Sequence, residues 1–66
     1  MAYTIGFGVR NKQQVSTAER ATAIEALELV TALQRSDEEI KFIRSPEEGE
    51  FDVAMLRVLA KEEASK

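Results

Sequence analysis

Neither cysteine nor histidine occurs in this chain of 66 residues, so packing and hydrogen bonds must hold whatever fold it adopts. Disulfides, thiolate zinc sites and thiol nucleophiles are excluded. So is any imidazole ligand, or a side chain that ordinarily titrates near neutrality. A domain this small hides only about 60% of its unfolded surface, and its core rarely supplies more than about 3–5 kcal/mol. Seventeen Leu, Val, Ile and Phe side chains still occur in the 66 residues, above the roughly 20% below which disorder becomes the default. One thin domain over residues 1–66 is expected, with oligomerisation as the remaining way to complete its core.

Local pattern divides that domain into four elements. Tyr3, Ile5, Phe7 and Val9 alternate with Thr4, Gly6 and Gly8, the period-two signature of a strand over residues 3–9. Two glycines inside a strand weaken it and call for a bulge, a bend or a close approach. Residues 10–14 form a polar connector. Ser16-Thr17-Ala18-Glu19 then fits a capping box, which predicts a helix over residues 17–35. Its inward arc would hold Ala23, Ala26, Leu27, Leu29, Val30 and Leu33, with Ile24 stranded among charges.

Residues 39–44 read as a second strand, with Ile40 and Phe42 inward and Lys41 and Ile43 outward. Ser45-Pro46-Glu47-Glu48-Gly49 is a proline-initiated turn in preference to a first helical turn, because Gly49 would weaken a helix there. Asp52 caps a last helix over residues 53–63, with Val53, Met55, Leu56, Leu59 and Ala60 inward and Val58 outward. The fold class expected is therefore α/β or α+β, in a β-α-β-α order. A right-handed crossover would make the two strands a parallel pair, covered on one face by both helices and completed by a second copy.

This arrangement, from Val15 to Leu33, through Ile40–Gly49 and into the Asp52–Leu59 helix, resembles small bacterial proteins of uncharacterised function. The resemblance is one of element order and implies no activity.

Charge narrows the function classes. Residues 1–35 carry a net +1 and residues 36–66 a net −4. Nucleic-acid binders usually show a basic stripe instead, so nucleic acid is an unexpected partner. Glu47, Glu48, Glu50 and Asp52 lack the ligand order of a calcium loop and read as a solvated acidic turn. Gly6-Phe7-Gly8 lacks the third glycine and the immediate helix of a dinucleotide fingerprint. No nucleophile has a base beside it in this pattern, and no cofactor, metal site or enzyme activity is expected. Arg10, Lys12 and Arg20 are the candidate anion or nucleic-acid contacts, near the expected N-terminus of the first helix.

A soluble cytoplasmic protein is expected, since neither a leader nor a run of membrane-span length is present. The sheet face away from the helices is the candidate interface, formed by Thr4, Gly6, Gly8, Lys41 and Ile43, with Ile24 in second rank. Two functional readings follow. The first is a non-enzymatic protein-interaction or homodimerisation module. The second is a small transcriptional regulator of ribbon-helix-helix type, whose paired N-terminal strands would enter DNA.

Overall fold

The computed structural model describes residues 2–65, so both terminal positions of the expected domain lie outside it. It is a small α+β fold of four strands and two helices in the order β-β-α-β-β-α. The strands are β1 (Tyr3–Val9), β2 (Ser16–Arg20), β3 (Glu38–Ser45) and β4 (Gly49–Phe51). The helices are α1 (Ala23–Arg35) and α2 (Val53–Ala64). One sheet runs β2-β1-β3-β4, and every neighbouring pair is antiparallel. The expected two-stranded parallel sheet is thus replaced by a four-stranded antiparallel one. The crossover survives in altered form: β2 and β3 both oppose β1, so α1 links two strands of like direction with β1 between them.

Residues 16–20 account for most of the difference. Where a helical turn was expected, they form β2 and pair with β1 from Tyr3↔Arg20 to Phe7↔Ser16. The helix starts later, capped by Thr22, whose hydroxyl accepts from the Glu25 amide at 3.1 Å. Thr22-Ala23-Ile24-Glu25 is itself a Thr-x-x-Glu box, and the Thr22 hydroxyl also donates to the Glu25 carboxylate at 3.1 Å. The same signature therefore occurs twice, six residues apart, and the second copy caps the helix. Using residues 16–20 as a strand instead satisfies one edge of β1 from Tyr3 to Phe7.

Ile5, Ile43, Val30 and Leu56 are the large side chains fully withdrawn from solvent, and Ala23, Ala26, Leu33 and Ala60 complete the buried cluster. Both helices pack on the sheet face that carries Ile5 and Ile43. Around them Tyr3, Phe7, Leu27, Leu29, Ile40, Phe51, Val53 and Leu59 are half-buried. Met55, expected inward, is exposed; Val58 and Ile24 are exposed as expected. Asp52 caps α2 by accepting from the Met55 amide at 3.0 Å. Pro46–Glu48 form the expected turn, closed by Gly49 at φ +71, a left-handed conformation that glycine adopts without strain.

The second strand carries the other correction. Strict alternation puts Ile43 outward and Phe42 inward, yet Ile43 is 1% exposed in the core while Phe42 lies on the opposite face. A β-bulge causes the reversal. Phe7 pairs with Ile40 and Gly6 with Phe42, leaving Lys41 as an extra residue in β3. Ile40 and Ile43 can then both face the helices although three positions separate them. A one-residue slip inverts every side chain beyond it.

Close approach explains both strand glycines. A Cβ on Gly6 would meet the Phe42 ring, and one on Gly8 would meet the Gln14 carbonyl oxygen. The Gly8 contact is with backbone, so the 10–15 connector would have to move. Gly8→Ala should cost about 1–3 kcal/mol, read as a lower urea midpoint at unchanged slope. A midpoint equal to that of the parent would show that the connector does not rest on Gly8.

Candidate functional site

The face of the sheet away from the helices follows from the pairing registers. Thr4, Gly6 and Gly8 of β1 stand between Thr17 and Glu19 of β2 and Glu39, Phe42 and Arg44 of β3. Glu50 of β4 lies opposite Arg44. The Phe42 ring occupies the space a side chain at Gly6 would fill, and the Arg44 guanidinium sits 4.6 Å from the ring centroid. That cation–π contact is worth about 0.5–1 kcal/mol at an exposed site. Lys41 reaches Glu39 at 3.4 Å, and its chain passes near Gly8. Charges of both signs thus ring one half-buried aromatic.

Of the candidate interface residues, Thr4, Gly6, Gly8 and Lys41 do share this face, and Ile43 does not. Gly6 and Gly8 are themselves buried, Gly6 beneath Phe42 and Gly8 beneath the connector, so neither presents a flat bare surface. Phe42 is the residue that sequence reasoning missed here. Its signal was the pair of glycines, which implied that something large rests on that face; the strand parity assigned it elsewhere. Ile24 lies in the first turn of α1, apart from the sheet face.

Alongside, a groove of about 340 Å³ is lined by Ile40–Ile43 and by Glu50–Val53. It exists because β4 pairs only with residues 43–45 of β3 before the chain turns into α2. The remaining outer edge of β3 carries the bulge and Lys41.

The candidate anion residues are not brought together. Arg10 lines a cleft with Gln34, Glu38 and Glu39, whereas Arg20 lines another with Glu25 and Glu28. Lys12 lies in the exposed connector. The N-terminus of α1, where an anion was expected, is instead taken by the chain itself. Glu63 of α2 accepts from the amides of Ala23 at 2.7 Å and Ile24 at 3.1 Å, the arrangement by which a helix N-terminus holds a carboxylate.

The acidic turn is divided as well. Glu50 and Asp52 flank the groove described above, while Glu47 and Glu48 line a cleft with Tyr3, Ser45, Glu62 and Glu63. Burial first, then the carboxylates of Glu63, Glu47 and Glu48, raise the Tyr3 phenol above its ordinary value. No group of three acids close enough to hold a metal ion occurs among the described residues. No helix among them is long and apolar enough to cross a membrane.

A ribbon-helix-helix dimer would need β1 free on one side to pair with a second chain. Here β1 is hydrogen-bonded to β2 on one side and β3 on the other. No model of a protein family matches this chain, and neither a curated protein nor a solved structure matches it. What the structure shares with the expected arrangement is a compact fold mixing strands and helices.

Proposed function

We propose that this protein is a non-enzymatic interaction module that associates through its sheet, first of all with a second copy of itself. The observation that carries this reading is a sheet packed by helices on one face, with the half-buried Phe42 on the other and the continuous five-residue strand β2 at its border. An edge strand with open backbone groups and a half-buried aromatic are surfaces that association covers. A thin core of eight buried residues among those described, three of them the alanines Ala23, Ala26 and Ala60, gives such contacts unusual weight.

A chain without histidine or cysteine suits binding better than proton or acyl transfer at neutral pH. The setting in this reading is the cytoplasm, whose reducing conditions agree with the absence of cysteine. Sedimentation equilibrium into the high micromolar range tests the self-association. A mass rising with concentration towards twice 7.4 kDa is expected. A strictly monomeric fit throughout would remove the homodimer from the reading.

A further inference from the structure

We propose that two copies join along the outer edge of β2, antiparallel about a two-fold axis at Ala18, so that two four-stranded sheets continue as one of eight. The proposal rests on the reading that the protein associates with itself, and it names the contact.

The two borders of the sheet differ in how well they are protected. At one border, β4 is three residues long and the exposed stretch of β3 carries a bulge and Lys41. Very short edge strands, bulges and lysines all discourage pairing with another chain. At the other border, β2 runs for five residues in unbroken register with β1 and contains no lysine, proline or bulge. Its outward amides and carbonyls form a regular template, open to a further strand.

The sequence of β2 then selects its own copy as the occupant. A two-fold axis perpendicular to the sheet requires that facing residues lie on the same side, which allows only registers two residues apart. With Ala18 on the axis, all five positions pair. Thr17 meets Glu19 of the second copy on the open face, and Ser16 meets Arg20 on the helix side. Each charged group is offered a hydroxyl, and no like charges face each other. A shift of two in one direction sets Glu19 against Glu19; the opposite shift leaves Arg20 facing the connector instead of the strand. Val15, 48% exposed just before the strand, would meet Ala21 of the second copy in the favoured register.

On the helix side, a cleft of about 370 Å³ lined by Arg20, Glu25, Glu28, Leu29 and Ala32 includes one residue of this border strand. A contact of five residues from each copy is small for a permanent interface, so the dimer is expected to be weak and concentration-dependent.

Charge exchange tests the contact. Thr17→Glu sets a glutamate against Glu19 of the second copy at both ends of the pair, and should raise the dimer dissociation constant about tenfold. Adding Glu19→Lys in the same chain turns both repulsions into opposite-charge pairs and should restore the affinity. Thr17 and Glu19 are exposed, and thermal melts followed by circular dichroism show that the variants stay folded. A covalent readout accompanies this: Ala18→Cys, the sole thiol in its chain, should form a disulfide-linked dimer on oxidation, whereas Val58→Cys should not. Wild-type dimers unaffected by Thr17→Glu would overturn the β2 contact and leave self-association standing. Weakening without rescue would overturn the Ala18 register. A monomeric wild type would remove the contact and the self-association together.

Discussion

Ile43→Ala should leave little folded protein at room temperature, whereas Phe42→Ala, one position away, should still give a cooperative urea transition. Truncating a fully buried isoleucine costs about 2–5 kcal/mol, and the whole core of a domain this small supplies about 3–5 kcal/mol. Ile43 is 1% exposed and packs with Ile5, Leu56 and Val30 beneath both helices. Phe42 rests on Gly6 with one flank towards solvent and Arg44 above it. Removing its ring gives up part of the roughly 1.5–3 kcal/mol of a fully buried side chain. Equilibrium denaturation of both variants decides the matter. If Phe42→Ala proved the more damaging, the bulge at Lys41 would be misplaced and the strand would face the other way.

That comparison bears on what the residues alone could disclose. The alternation of Tyr3, Ile5 and Phe7 marks β1 because a strand with one buried face must repeat every two residues. The Pro46–Gly49 turn and the Asp52 cap were legible for similar local reasons: each uses a residue whose conformation or side-chain oxygen the geometry requires. Ala23, Ala26, Val30 and Leu33 share one helical stripe whether α1 begins at residue 17 or 23, so the core side of α1 was legible although its start was not.

The remainder depended on distant partners. Nothing within Ser16–Glu19 tells whether a Ser-x-x-Glu box will cap a helix or lie extended along β1; the outcome turns on a strand ending seven residues earlier that needs an edge partner. Ile40-Lys41-Phe42-Ile43 contains three apolar residues that fit either parity, and no glycine marks the bulge between them. Strict alternation therefore sends Phe42 to the core and Ile43 to the surface, the reverse of the fold, and conceals the aromatic on the open face. Glu63 was equally hidden, since its partners lie 39 and 40 residues away.

Replacing that carboxylate should produce the second large effect. Glu63→Ala is expected to cost about 1.5–3 kcal/mol, the range for hydrogen bonds to a charged group. Two donors at the start of α1 would lose their acceptor, and the favourable charge at the positive end of the helix would go with it. Glu63→Gln keeps a carbonyl oxygen within reach but removes the charge, so its cost should fall between wild type and alanine. Thr22 would still satisfy the Glu25 amide, which confines the damage to the first two amides. Hydrogen exchange can resolve this, because protection should fall first at Ala23 and Ile24 while Val30 stays protected until global unfolding. Glu62, exposed one residue earlier on α2, is the matched control, and Glu62→Ala should shift the urea midpoint little. Equal midpoints for the Glu62 and Glu63 variants would mean that α2 is held to α1 by apolar packing alone, through Leu56, Ala60 and Ala26.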